Sequence, residues 1–134
     1  MKPFLTAYLA ALLAQLPIDA VWLTLMGKRF YGRRMGDIVM DKPNLLPALC
    51  FYLIYAVTLS ILVILPAARE GFGASKTFAY GALLGLGAYA AYDLTNQATI
   101  KNWPVSVTFV DVAWGALLTG VVAVIAAGIT RRWA

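Results

Sequence analysis

The stretch that decides the fold is residues 104–129, PVSVTFVDVAWGALLTGVVAVIAAGI, in which Asp111 is the only charged residue. A helix rises about 1.5 Å per residue, so about 20 apolar residues are enough to cross roughly 30 Å of hydrocarbon. Three further apolar runs of this length occupy residues 4–26, 45–66 and 77–100. None of them alternates as a barrel strand does. We predict an all-α integral membrane protein, a single domain over residues 1–134 with four transmembrane helices.

The composition of the whole chain supports the same class. Of the 134 residues, 62% are hydrophobic and 13% are charged, and the mean hydropathy is +0.78. A soluble core of this size could not bury so much apolar surface, so a polytopic membrane protein is expected.

The basic residues are divided almost equally between the two ends of a four-helix bundle. One end, with both termini, carries Lys2, Arg69, Lys76, Arg131 and Arg132, and the other carries Lys28, Arg29, Arg33, Arg34, Lys42 and Lys101. This balance gives no orientation under the positive-inside rule. The net charge of +5 predicts membrane lipids as partners at both faces and no nucleic acid. Residues 28–34 mix basic and aromatic side chains and predict an interfacial loop anchored by Phe30 and Tyr31, with a lipid-headgroup site as the alternative.

Three aspartates lie inside the apolar runs, where no lysine, arginine or histidine accompanies them. Asp19 and Asp93 each precede the end of their predicted helix by seven residues, and Asp111 follows the start of its helix by seven. Because helix direction alternates, all three lie ~10 Å in from the same face. A charge at such depth is costly, so we expect the functional site there.

Other polar and aromatic residues share helix faces and depth with these acids. Tyr89, Asp93 and Asn96 follow the spacing of one helix face. An Asp-x-x-Trp segment occurs in both the first and the fourth helix, and a duplicated half, similar packing needs or chance would each account for it. We predict a pocket that opens to one face, with the ligand-binding residues Asp19, Trp22, Tyr52, Tyr55, Tyr89, Asp93, Asn96, Asp111 and Trp114.

The residue inventory excludes several chemistries. Without histidine, the chain has no imidazole for haem, zinc, copper or a His-based triad. Its single cysteine, Cys50, excludes an intrachain disulfide and a Cys-x-x-Cys motif. No lysine lies within a predicted span, and there is no phosphate loop or dinucleotide fingerprint. We expect no cofactor and no metal site.

The third apolar run carries glycines at the spacing of closely packed membrane helices, Gly81-Ala-Leu-Leu-Gly85 followed by Gly87. The sequence leaves open whether their partner is another helix of this chain or a second copy.

Four stretches carry a resemblance to a known family: Tyr89-Ala-Ala-Tyr-Asp-Leu-Thr-Asn-Gln-Ala-Thr-Ile-Lys-Asn-Trp-Pro104, Val110-Asp-Val-Ala-Trp-Gly115, Phe51-Tyr-Leu-Ile-Tyr55 and the early Asp19-x-x-Trp22. In these stretches the chain resembles the bacterial membrane-protein family catalogued as domain of unknown function 2177. The resemblance covers almost the whole chain and implies a small four-helix protein of the bacterial inner membrane. It implies no activity.

Three hypotheses for function follow from the acids. Acids in one low-dielectric pocket cannot all stay ionised without a partner, because desolvation and mutual repulsion disfavour the charged form. The leading hypothesis is therefore a protein that binds or transports a small amphiphilic or cationic ligand, with transport requiring a homodimer. The second is a membrane-embedded enzyme that modifies lipids or isoprenoids by aspartate acid/base chemistry. The third is an accessory or structural subunit of a larger membrane complex, in which the acids hold helices together.

Overall fold

The computed structural model describes residues 1–39 and 42–134. The first helix, α1 (Lys2–Met26), continues through a π-helical turn (Gly27–Tyr31) into the short helix α2 (Gly32–Met35) and a 3-10 turn (Gly36–Ile38). In the π-helical turn the hydrogen bonds span five residues, as between the Gly32 N–H and the Gly27 carbonyl. The segment expected to be an interfacial loop is therefore helical up to residue 38.

The second long helix consists of α3 (Leu45–Leu59), a π-helical turn (Ser60–Ile64) and α4 (Leu65–Glu70). Asn44 caps its start, because its side-chain oxygen accepts the Leu46 N–H at 3.2 Å. The helix runs past Pro66, the expected end, since Pro66 lies in the first turn of α4, where a missing N–H is tolerated. It ends at Gly71, whose φ of 69° is in the left-handed region that glycine adopts readily.

The last two helices, α5 (Ala74–Thr99) and α6 (Val105–Trp133), are joined by a short turn. Asn102 lies in this turn with a φ of 63°, a conformation that asparagine tolerates better than most residues. Pro104 was expected in the first turn of the last helix and instead lies directly before it, as the N-cap residue.

The all-α prediction and the count of four long helices are confirmed, and residues 1–39 and 42–134 contain no strand. Three helical segments are long and apolar enough to cross a membrane: Lys2–Ile38, Leu45–Glu70 and Val105–Trp133. With 26 residues α5 is also long enough. Its hydropathy is lower because its second half carries Asp93, Asn96 and Gln97, so a fourth crossing stays a prediction.

Glycines bring the backbones of α5 and α6 into contact. A Cβ built on Gly85 would lie 2.3 Å from the Gly115 carbonyl oxygen, and one on Gly81 would lie 2.9 Å from the Thr119 carbonyl oxygen. Residue numbers rise along α5 as they fall along α6, so the two helices are antiparallel. The glycine spacing of α5 thus serves packing within the chain. Gly87 faces elsewhere, because no described atom comes within 4 Å of a Cβ built there.

One half of the bundle is packed with apolar side chains, and the other half holds the aspartates. The apolar half lies towards the termini and brings together buried residues of α1, α3, α4, α6 and the second π-helical turn. Its fully buried members include Ala7, Ala11, Ala56, Ile64 and Ala126. Small side chains let the helices approach, so this half is closed by close packing.

We predict that Gly85→Ala destabilises the bundle by about 1–3 kcal/mol, the usual cost of overpacking, because the added methyl group must displace the Gly115 carbonyl. Gly87→Ala is the matched control, since its methyl group meets open space. Thermal unfolding of both variants in the same detergent measures the difference. A midpoint for Gly85→Ala at or above that of Gly87→Ala would contradict the close contact between α5 and α6.

Candidate functional site

Asp19 of α1 accepts one hydrogen bond at each carboxylate oxygen. The Tyr52 hydroxyl of α3 donates to Oδ2, and the Trp114 indole Nε1 of α6 donates to Oδ1 at 3.0 Å. The side chain is only 6% exposed. Three helices therefore meet at one carboxylate whose two oxygens both have donors, which is the usual condition for burying such a group.

Asp111 of α6 is served by a donor chain that begins on α1. The Tyr31 hydroxyl donates to Asp111 Oδ1 at 2.8 Å, and Trp22 Nε1 donates to the Tyr31 hydroxyl at 3.1 Å. The π-helical turn places Tyr31 against α6, so the extension of α1 contributes directly to this network. Hydrogen bonds in such chains polarise one another and hold the aromatic rings in fixed positions.

The two tryptophans stack against each other between these hydrogen-bonded groups. The centroids of Trp22 and Trp114 are 4.1 Å apart and their planes differ by 6°. The Asp-x-x-Trp segments of α1 and α6 thus exchange donors, since the tryptophan of each helix serves the acid of the other, in one case through Tyr31. If the chain were built from two duplicated halves of two long helices each, α1 would correspond to α5 and not to α6. The exchange of donors between α1 and α6 therefore favours similar packing needs as the origin of the two Asp-x-x-Trp segments.

Asp93 of α5 lacks the donors that the other two acids have. Its side chain is 0% exposed, and neither carboxylate oxygen has a hydrogen-bond donor in the part of the chain that the structure describes. Asp111 lines the same cavity, but two carboxyl groups form a hydrogen bond only when one carries a proton. An unpaired buried carboxylate is costly, so this position requires a proton, a water molecule or a cation.

A cavity of about 130 Å³ lies beside the Asp93 and Asp111 carboxyls. The rest of its wall is aromatic and apolar and consists of Leu23, Tyr31, Met35, Tyr92, Trp103 and Val107. Trp103 is held in place, because its Nε1 donates to the Thr108 hydroxyl at 3.0 Å. At roughly 30 Å³ for one water molecule, the cavity has room for a few waters or one small polar group.

The structure divides the three acids into two groups. Asp93 and Asp111 both form part of the cavity wall. Asp19 is not part of that wall and is hydrogen-bonded to Tyr52 and Trp114. Within residues 1–39 and 42–134, no group of three or more His, Cys, Asp or Glu side chains could hold a metal ion. The arrangement therefore offers one carboxylate pair for a small ligand and one separately hydrogen-bonded carboxylate.

The remaining residues that the sequence suggested lie around this centre. The Tyr55 hydroxyl pairs with the Thr119 hydroxyl at 2.8 Å, deeper in the bundle than Tyr52. Tyr89 packs over Gly115, where a Cβ would lie 2.1 Å from the ring. Asn96 is half-buried and lies outside the cavity wall.

Sequence reasoning missed Tyr31, Tyr92 and Trp103, which form most of the aromatic wall. The sequence predicts Tyr31 and Phe30 together as interfacial anchors, but Tyr31 is hydrogen-bonded within the cluster, whereas Phe30 has the Arg34 guanidinium 4.7 Å from its ring centroid. A first helix that continues beyond Met26 would have indicated the position of Tyr31, because this continuation brings Tyr31 next to Trp22. Gln15 also went unassigned, although it is 1% exposed and its amide has no partner among the described residues.

These features define a small helical integral membrane protein with a buried cluster of acids and aromatic residues at one end of the bundle. A family model described as predicted membrane protein, domain of unknown function 2177, matches residues 4–128, and the chain belongs to this family. No curated protein and no solved structure matches this chain.

We predict opposite effects of Asp19→Asn and Asp93→Asn on stability. Asparagine has one acceptor oxygen in place of two, so in Asp19→Asn the hydrogen bonds with Tyr52 and Trp114 lose their carboxylate acceptor and join neutral groups, which should cost about 1–3 kcal/mol. Asp93→Asn removes a buried charge that lacks a donor, so the free energy of unfolding should stay level or rise. Unfolding both variants side by side in one detergent checks this. Equal losses would contradict the different roles of the two acids.

We predict that Tyr31→Phe destabilises the protein by about 1–3 kcal/mol, because Asp111 loses a donor and Trp22 loses an acceptor. Tyr8→Phe is the matched control, since Tyr8 stacks on Phe4 and its hydroxyl has no partner in the described part of the chain. Thermal unfolding gives the stability change, and a shift in tryptophan emission reports the altered Trp22 environment. Identical unfolding midpoints for the two variants would mean that Tyr31 contributes no hydrogen bond of consequence.

Proposed function

We propose that this protein binds a small cationic amphiphile, such as a primary alkylammonium ion, within the bacterial inner membrane. The charged group would lie in the cavity between Asp93 and Asp111. The observation that carries this proposal is the Asp93 carboxylate, which is fully buried, has no donor among the residues that the structure describes, and borders a cavity shared with a second acid.

A primary ammonium group supplies what this cavity lacks. The acids of the cluster receive hydrogen bonds only from tyrosine and tryptophan, among the residues described, and no basic residue lies in the apolar runs 4–26, 77–100 and 104–129 that carry these acids. An ammonium group brings a positive charge and three N–H donors, enough for both Asp93 oxygens and one of Asp111. The aromatic rings of Tyr31, Tyr92 and Trp103 add a surface that attracts cations.

The size and position of the cavity favour an amphiphile with a small head. At about 130 Å³, the cavity admits an ammonium group with a short stretch of alkyl chain and excludes bulky aromatic cations. Leu23 and Tyr92 in its wall are 50% and 56% exposed on the outside of the bundle. An alkyl tail leaving between them would enter the apolar surroundings of the helices, where burial of each CH₂ contributes about 0.8 kcal/mol.

The geometry supports binding more directly than transport. The apolar half of the bundle is closed by small residues of α1, α3, α4 and α6, so this packing offers no path from the cavity through to the other end of the bundle. Transport would need a second arrangement of the helices that opens the apolar half, as in alternating access.

A structural role is favoured for one of the three acids, Asp19. Each of its two oxygens accepts a hydrogen bond from another helix, α3 or α6, so this buried carboxylate is stabilised by the chain itself without a ligand. The hypothesis that the acids hold the helices together therefore fits Asp19, whereas the ligand hypothesis fits Asp93 and Asp111.

We predict that decylammonium changes the tryptophan fluorescence of the detergent-solubilised protein saturably and that Asp93→Asn weakens its binding at least about tenfold. Tenfold corresponds to about 1.4 kcal/mol of lost attraction between ammonium and carboxylate. Asp37→Asn, in the exposed 3-10 turn, is the matched control for loss of one acidic charge. The neutral 1-decanol, with the same tail, controls for partition into the detergent.

The same titration at lower pH should show weaker decylammonium binding, because protonation of either carboxyl removes the charge that attracts the ammonium group. Equal responses to decylammonium and 1-decanol, or equal affinities of the wild-type and Asp93→Asn proteins, would contradict the proposal.

A further inference from the structure

A second cavity lies at the opposite end of the bundle, between α1, α4 and α6. Its volume is about 190 Å³, and its wall includes Arg69 and Arg131 together with Pro3, Leu65, Ala68, Thr130 and Ala134. We propose that this cavity binds the phosphate group of an anionic phospholipid. The two arginines would hold the phosphate, and the apolar wall would meet the start of the acyl chains.

The charge around this cavity favours an anion. The segments at this end of the chain carry five basic residues, Lys2, Arg69, Lys76, Arg131 and Arg132, against the single acidic residue Glu70. A guanidinium group presents paired N–H donors that match two phosphate oxygens, which is why arginine recurs in phosphate recognition. Arg69 and Arg131 come from different helices, so together they approach a phosphate from two sides.

Arg131 is positioned without losing its charge. One guanidinium nitrogen, Nη1, donates to the Phe72 carbonyl oxygen at 3.1 Å. Phe72 is itself 8% exposed, and the Lys76 ammonium lies 3.9 Å from its ring centroid. Because the acceptor is a neutral carbonyl and a guanidinium has five N–H donors, the side chain is oriented while its charge and further donors stay available to a ligand.

The depth of the cavity identifies the source of the phosphate as a lipid. The helical segments Leu45–Glu70 and Val105–Trp133, each long enough to cross a membrane, both end here, so Arg69 and Arg131 lie at the level of lipid headgroups. Leu65 lies one turn further into the bundle than Arg69 and forms part of the same wall. A free phosphate ion would use only the arginines, whereas a phospholipid uses both the arginines and the apolar wall.

Native mass spectrometry on the detergent-purified full chain tests this proposal. Wild type, Arg69→Gln, Arg131→Gln and Arg132→Gln are each titrated with phosphatidylglycerol, and in a separate arm with inorganic phosphate. Arg132→Gln is the matched control, because Arg132 is exposed at the same end and lies near Trp133, outside the cavity wall. We expect one retained phosphatidylglycerol on wild type and on Arg132→Gln, and roughly fivefold weaker retention for each of the other two variants.

Arg69→Gln leaves the hydrogen bond between Arg131 and the Phe72 carbonyl in place. A loss of phosphatidylglycerol from this variant therefore reports lipid binding and not the loss of that hydrogen bond. Equal retention by all four proteins would overturn the proposal, and so would an equal loss from all three variants, which would indicate general attraction to a basic surface. A lower unfolding temperature of Arg69→Gln with unchanged retention would assign that arginine to the helix end alone and also overturn it. Inorganic phosphate that displaces phosphatidylglycerol at matched concentration would assign the cavity to a free anion instead of a lipid.

Discussion

Carboxylates buried or half-buried in apolar helical runs that carry no basic residue are the constraint on which the rest of this structure depends. A buried acid needs donors or a proton, and in the described part of the chain the donors to these acids are phenol and indole groups alone. Asp19 receives two and Asp111 receives one. The third acid, Asp93, has none among the described residues. The unequal distribution separates acids that hold the fold together from the acid that is available for chemistry.

The positions of those donors follow from how closely the helices approach. Glycines on α5 and α6 bring the two backbones into contact, which places Asp93 beside Asp111. The same close approach leaves room for the Tyr89 ring only because residue 115 is a glycine. On the other side of α6, the stacked tryptophans set the separation from α1. Small residues and large rings therefore act together, since the former bring the acids close and the latter keep their donors in place.

Much of this arrangement could be predicted from the sequence, because hydropathy and helix geometry act locally. The four helices and the gathering of Asp19, Asp93 and Asp111 at one end required only run lengths and a rise per residue. The aromatic wall could not be predicted, because it depends on tertiary contacts. Tyr31 joins the cluster only because α1 continues through a π-helical turn, and the helix passes Pro66 only because another such turn precedes it. The three aspartates also have the same hydropathy value, so hydropathy does not predict which of them will accept hydrogen bonds.

The exchange of donors between α1 and α6 restricts how this protein can move. Sliding one helix past the other by a single turn would separate the stacked rings and leave Asp19 and Tyr31 without their indole partners at the same time. Shear between these two helices, a common route for conformational change in helical proteins, therefore carries a high barrier. Any displacement of α1 along α6 must therefore break both hydrogen bonds and the ring stacking together, while the glycine contacts hold α5 to the other side of the same helix.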